Sequence, residues 1–293
     1  MKSGLYKLKM IIRELVSSMA KKFMIINLDV CTGCQLCVIA CKDEHVGNSY
    51  PPWTKPQPEK GHFWIRVNII ERGEIPKVKV MNVPLLCMHC ENAPCIKACP
   101  NLAIKRREDG IVWIDPERCK GSKLCIDACP YGVIYFNEEL KIAQKCTWCA
   151  HRIDEGEIPR CVDICPHEVF IFGDEDNSAI AELRKKSTEL FPEFKSKPRV
   201  LYVGIPKPFV AGTIVDEAFN EVIPECKLML TDLIDDKKFE TVTDEFGDFW
   251  FKELEQGHKY MLQIEKHGYV PKTLIITTDR EKNLGTIFLQ RKT

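Results

Sequence analysis

Cys31-Thr-Gly-Cys34-Gln-Leu-Cys37-Val-Ile-Ala-Cys41 opens the stretch that decides how this chain folds. Three more groups follow it: Cys87-x2-Cys90-x4-Cys95-x3-Cys99-Pro100, Cys119-x5-Cys125-x3-Cys129-Pro130, and Cys146-x2-Cys149-x11-Cys161-x3-Cys165-Pro166. Fifteen of the 16 cysteines fall in these groups, and in the third Ser122 stands where a further cysteine would complete the run. A two-residue gap lets the backbone wrap a multinuclear metal centre. A three-residue gap sets the last thiol about one helical turn further on, towards a neighbouring site. Proline then ends that turn, because it has no N–H to donate. A disulfide framework does not use three-spaced clusters in a chain of this length without an evident export signal. Zinc ribbons use paired Cys-x2-Cys knuckles and would leave the third and fourth cysteine of each group without a role. The spacing predicts iron–sulfur clusters on thiolates, in the pattern of bacterial ferredoxins, where the last cysteine of a run serves a different cluster.

Composition narrows the partners. The chain has 293 residues, enough for two domains, and 45% of them are hydrophobic. Its 42 basic and 42 acidic residues balance, so no charge field points to nucleic acid or an anionic membrane. No apolar run approaches the length of a transmembrane helix. Residues 1–18 place Lys2, Lys7, Lys9 and Arg13 among Leu5, Leu8, Ile12 and Leu15, which is amphipathic spacing without a signal-peptide core or twin arginine. Residues 1–22 are therefore expected to be an extension, with translation starting at Met19, and a cytoplasmic location is the default.

A cluster domain is expected over 23–172, beginning with a strand over 23–30. It carries an insertion over 42–86. That insertion opens as a loop with Pro51, Pro52, Pro56 and Pro58, then forms a hairpin of 62–71 and 77–83 around Arg72-Gly73. Trp53, Phe63 and Trp64 are each read as core, and the insertion as a whole as a place for a partner to sit. Between the second and third groups, strands 102–104 and 111–115 flank an Asp109-Gly110 turn. Between the third and fourth, 132–136 and 141–144 repeat the arrangement, so the domain reads as a duplicated ferredoxin unit. His89, His151 and His167 lie beside cysteines and are read as packing or hydrogen-bonding residues. A helix over 178–190, capped by Asn177 or Ser178, and a surface arm over 195–208 fill the segment 173–208. Seven short strands follow over 209–293: 209–215, 226–231, 239–243, 249–254, 260–265, 273–277 and 285–289. They predict an antiparallel sandwich, with Cys226 as a buried free thiol. The fold class is thus α+β, a ferredoxin-like domain followed by an all-β one.

The four groups in this order, with the eleven-residue gap in the last, resemble the four-cluster electron-transfer subunits of the molybdopterin oxidoreductases of the dimethyl sulfoxide reductase family. Cys87-Met-His-Cys90-Glu-Asn-Ala-Pro-Cys95, Glu108-Asp-Gly-Ile-Val112, Cys129-Pro-Tyr-Gly-Val133 and Ala143-Gln-Lys-Cys146-Thr147 are similar to the transhydroxylase branch, whose small subunits also end in a β domain. Thr243 to Phe251 and Gly268-Tyr269 resemble the prealbumin-like, carboxypeptidase-regulatory type of sandwich. The resemblance implies four sites: Cys31, Cys34, Cys37 with Cys165; Cys87, Cys90, Cys95 with Cys129; Cys146, Cys149, Cys161 with Cys41; and Cys119, Cys125 with Cys99, one thiolate short at Ser122. It implies three [4Fe-4S] clusters. The fourth, degenerate site is left with three outcomes: a [3Fe-4S] cluster, a labile [4Fe-4S] cluster with serine oxygen or water on one iron, or no cluster. The three remaining thiolates favour the first two outcomes over loss. That branch has lost one cluster of the set, whereas this chain has lost one ligand.

Further implications are a large catalytic subunit carrying molybdenum or tungsten on a bis-pterin, in a heterodimer or higher complex, and polyhydroxylated aromatics as substrates in anaerobic metabolism. The chain itself shows no triad, phosphate-binding glycine loop or acid–base pair, so no active site of its own is expected. Three other readings stay open. One is the same wire serving an arsenate, polysulfide or sulfoxide reductase. Another is a free-standing polyferredoxin, which would need neither the insertion nor the β domain. The third is a β domain that binds a carbohydrate or a surface, although it has no dense aromatic stripe.

Overall fold

The computed structural model describes residues 20–292, so the expected extension lies almost wholly outside them. By internal packing the chain divides into two compact units, the residues up to Ile69 with Asn82–Ile205, and Ile70–Met81 with Pro206 onward. Up to Ile205 the elements are β1 (Lys22–Asn27), α1 (Leu36–His45), β2 (Ile65–Glu74), β3 (Lys77–Leu86), α2 (Pro94–Ala98), β4 (Ile104–Arg106) and β5 (Val112–Ile114). They continue with α3 (Leu124–Asp127), β6 (Tyr135–Asn137), β7 (Ile142–Gln144), α4 (Ala150–Asp154), α5 (Arg160–Asp163), β8 (Phe170–Asp174), α6 (Ser178–Lys186) and β9 (Val200–Val203).

The first unit hangs on β1. Phe23, Met24, Ile25 and Ile26 are buried on both faces, the mark of a central strand. β8 pairs with it antiparallel and β9 parallel, so Ile25 lies between Ile171 and Leu201. The strand ends at Asn27, short of the expected 30: Leu28–Val30 winds into a 3-10 turn, and the Asn27 side chain accepts from the Asp29 amide. α6 starts where its cap predicts, with Asn177 Oδ1 accepting from the Ala179 and Ile180 amides. It stops at Lys186, not 190, because Thr188 exchanges two 2.8 Å backbone hydrogen bonds with Tyr202. The expected surface arm over 195–208 is corrected by the same strand. Val200 and Tyr202 of β9 are buried, and the Tyr202 hydroxyl donates to the Pro84 carbonyl at 2.8 Å.

Two small hairpins, β4–β5 and β6–β7, separate the cysteine loops. Asp109-Gly110 does make the first turn: Gly110 sits at φ 92°, and Asp109 accepts from the Ile111 amide at 3.1 Å. β4 begins two residues later than expected and β6 three. The insertion opens in helix, not loop, since α1 runs on to His45. Of its aromatic rings, Trp64 is buried, but Phe63 is exposed and Trp53 only half-buried. The turn of the β2–β3 hairpin lies at Ile75-Pro76, beyond Arg72-Gly73. Residues 70–81 belong to the second unit, where Arg72 donates to the Pro206 and Lys207 carbonyls and pairs with Glu281, holding this stretch in the strand.

The second unit carries β10 (Val210–Asp216), β11 (Lys227–Asp232), β12 (Lys238–Val242), β13 (Asp248–Phe251), β14 (Lys259–Glu265), β15 (Lys272–Thr277) and β16 (Lys282–Leu289). They form two sheets, β13-β10-β16 and β12-β11-β14-β15. Ile214 and Phe249 of the first sheet share one core with Leu230 and Leu262 of the second. The two-residue alternation of β14, buried at Tyr260, Leu262 and Ile264, follows from one face meeting that core and the other meeting solvent. One pairing departs from a purely antiparallel design: β10 and β16 run parallel. Cys226 is fully buried, with its thiol 3.5 Å from the Glu265 carbonyl.

Candidate metal centres

The first cysteine loop turns sharply between the 3-10 turn and α1. Gly33 and Gln35 both take left-handed backbone, at φ 72° and 63°. This wraps Cys31, Cys34 and Cys37 about one small cavity, and Cys165, just beyond α5, lines the same cavity. Burial pushes the Cys37 thiol up to about 12, with Cys165 as its foremost thiol neighbour. Cys41 lies one helical turn further along α1: its thiol neighbours are Cys149, Cys146 and Cys161, ahead of Cys37, and burial drives it well above the ordinary thiol range. Cys87, Cys90 and Cys95 gather with Cys129, and burial holds Cys90 and Cys95 near 12. Cys125 meets Cys119 and Cys99, and burial raises it to about 11. The thiols thus lie in neighbouring groups, and Cys146 has Cys87 of the second group beside it. Ser122 is exposed on the loop between Cys119 and Cys125.

Backbone amides point at these sulfurs. The amides of Ala103, Ala143 and Trp148 lie 3.3, 3.4 and 3.3 Å from the sulfurs of Cys99, Cys119 and Cys146. The amides of Gly33, Val38 and Arg160 lie near the sulfurs of Cys31, Cys37 and Cys149, and three successive amides, Tyr131 to Val133, near that of Cys129, each opposing the rise that burial causes. Such donors favour the ionised sulfur and set the electronics of whatever it ligates.

Two further side chains that the sequence did not single out join them; His45 alone carries a local sign, its spacing of four from Cys41 on α1. Ser196 is buried and hydrogen-bonds both Cys90 and the Tyr131 hydroxyl, the latter at 2.8 Å. His45, four residues after Cys41 on α1, brings Nε2 to 3.7 Å from Cys149 Sγ. Burial, and then His151, lower His45 to about 3, so its ring is neutral. His151 itself bonds Glu44 at 2.9 Å, and His89 Nδ1 accepts from the Val112 amide at 3.0 Å. His167 is exposed.

The donor set fits an iron–sulfur group. All 16 cysteines are free thiols, although fifteen of them are crowded together. Clustered buried thiolates repel one another and lose hydration, which is why burial raises the thiols. A cationic iron core offsets both costs, and soft thiolate ligands suit iron–sulfur chemistry. Buried polar atoms without a protein partner lie beside the same cysteines, namely His89 Nε2, Thr147 Oγ1 and Trp148 Nε1. Among the described residues no helix is long and apolar enough to cross a membrane.

Comparison with known proteins agrees with this chemistry. The model for a 4Fe-4S dicluster domain matches residues 78–175, and that for a 4Fe-4S binding domain matches 28–47. A carboxypeptidase regulatory-like domain matches 210–289. The chain is 36% identical over 281 residues to the small subunit of pyrogallol hydroxytransferase from Pelobacter acidigallici, covering 92% of this chain and 100% of that one. It is 37% identical over 195 residues to a subunit of tetrathionate reductase from Salmonella typhimurium, covering 64% and 74%. To the iron–sulfur subunit of an arsenate respiratory reductase from a Shewanella species it is 32% identical over 232 residues, covering 61% and 94%.

Proposed function

The chain belongs to the iron–sulfur electron-transfer subunits of the molybdopterin oxidoreductases, and from that membership we propose a set of sites, a partner and a substrate class. Three sites hold [4Fe-4S] clusters: Cys31, Cys34, Cys37 and Cys165; Cys87, Cys90, Cys95 and Cys129; Cys146, Cys149, Cys161 and Cys41. The fourth, on Cys119, Cys125 and Cys99, has three thiolates and holds a three-iron or labile four-iron cluster. The foremost thiol neighbours of Cys37, Cys41, Cys90 and Cys125 support this partition. The bound clusters supply one-electron storage and transfer. The residues bury the thiolates, aim amides at them and fix the distances between sites. The cluster region reads as a duplicated ferredoxin unit, and the β unit as a prealbumin-like sandwich.

The catalytic partner is a large subunit carrying molybdenum or tungsten on a bis-pterin, with polyhydroxylated aromatics as substrates and a cytoplasmic location. One observation carries the substrate class: the match to the pyrogallol hydroxytransferase subunit spans 92% of this chain, including the β unit. Assaying the purified complex for hydroxyl transfer or dehydroxylation on pyrogallol-type phenols tests it. Turnover of arsenate or tetrathionate instead, with none on phenols, moves the chain to a respiratory-reductase partner.

A further inference from the structure

We propose that Lys145 is a fixed positive charge set between two of the cysteine sites, where it raises the midpoint potentials of the clusters on both sides. The inference rests on the reading that these sites hold clusters. Lys145 is 2% exposed. Its ammonium donates to the Val112 carbonyl of β5 and, at 2.9 Å, to the carbonyl of Cys146. One acceptor, Cys146, belongs to the set with Cys41, Cys149 and Cys161; the other, Val112, gives its amide at 3.0 Å to Nδ1 of His89, which lies between Cys87 and Cys90 of the second set. The two sets approach each other here, because Cys87 is the foremost thiol neighbour of Cys146.

The other cations nearby are already engaged. Arg199 pairs with Glu91 at 2.5 Å, and Arg106 is exposed, donating to the Cys90 and Glu91 carbonyls. His89, on the opposite side of Val112, is kept neutral by burial and then by Lys145 itself. Lys145 has no carboxylate in ion-pair contact among the described residues; carbonyl oxygens are its hydrogen-bond acceptors. A buried ammonium held only by carbonyls is costly unless anionic groups lie close. Thiolate-ligated sites on either side supply that counter-charge. Each becomes more negative on reduction, so a fixed cation between them favours the reduced form.

The test is a potentiometric titration of the anaerobically purified complex, followed by EPR, with iron counted first, for Lys145→Met, Lys145→Gln and Lys145→Arg. The expected result is a downward shift of two midpoint potentials in both neutral variants, little shift in the arginine variant, and no change at the Cys31 site. Unchanged potentials, or an equal fall at every site, overturn the proposal. Loss of iron in both neutral variants also overturns it, by making Lys145 a folding element. A wild-type complex without iron would instead remove the cluster reading on which the inference stands.

Discussion

Ser122 takes in its loop the place that Cys34 takes in the first. Gly121 and Lys123 flank it at φ 70° and 62°, as Gly33 and Gln35 flank Cys34 at 72° and 63°. The backbone takes the same conformation in both loops, but the side chain it presents carries oxygen in one and sulfur in the other. Serine oxygen is a harder ligand than thiolate and holds iron less well in such clusters.

Ser122→Cys is therefore expected to complete the fourth site without rebuilding its loop. Iron should rise by about one atom per chain if the site holds a three-iron cluster. The EPR signal of the oxidised three-iron form should vanish with it. Unchanged iron and spectra would place the deficit elsewhere than at this side chain.

Gly33→Ala is expected to lower the occupancy of the first site. Its φ of 72° is unfavourable for an L side chain, and a Cβ there would fall 2.6 Å from the Asn82 side-chain oxygen. Asn82 cannot retreat freely, because its amide donates to the Cys31 carbonyl at 3.2 Å. Iron analysis and EPR should show loss confined to one cluster, with the other sites retained.

Ile25→Ala tests the frame that carries the sites. Ile25 is fully buried at the centre of the β8-β1-β9 sheet, against Ile180 of α6. Removing it should cost about 2–5 kcal/mol. The cluster absorbance should be lost at lower denaturant in the variant, while the β unit, with its separate core, keeps its transition.

Asp216 gives the β unit an acid limit. Its carboxylate accepts from Arg291 and from the Tyr269 hydroxyl, each at 2.7 Å, and from the Ala218 and Phe219 amides. The Arg291 bond, then Tyr269, hold its carboxyl well below the usual carboxylate range. A depressed folded value means the stabilisation is complete above the unfolded value of about 3.9 and fades as pH falls below it. Asp216→Asn should destabilise the β unit at neutral pH. The gap to wild type, read from unfolding curves, should close as pH drops below about 4. A gap that stays constant with pH would rule out the ion pair as its source.

What the sequence made legible is what is local in it. The cysteine loops, the Asp109-Gly110 turn, the Asn177 cap and the alternation of β14 depend on neighbours a few residues away. Pairings over long stretches of chain were not legible. Val200 to Val203 looks like part of a surface arm until β1 pairs with it, and the β2 strand passes Gly73 because Arg72 is held by carbonyls more than 130 residues on. The same holds at the sites. Ser196 meets Cys90 from a distant segment, and Lys145 is set by Val112, whereas His45 carried a local sign in its spacing of four from Cys41. Ser122 was legible as a missing sulfur, but the preserved loop around it was not.

The central claim is tested most directly by purifying this chain anaerobically from its native host under mild conditions and measuring the metals that accompany it. The account predicts a stable complex with a larger subunit containing molybdenum or tungsten and pterin, and iron sufficient for three full clusters and a partial fourth in this chain. An iron-rich polypeptide isolated alone, with neither metal nor pterin, would contradict it and leave a free-standing electron carrier in its place.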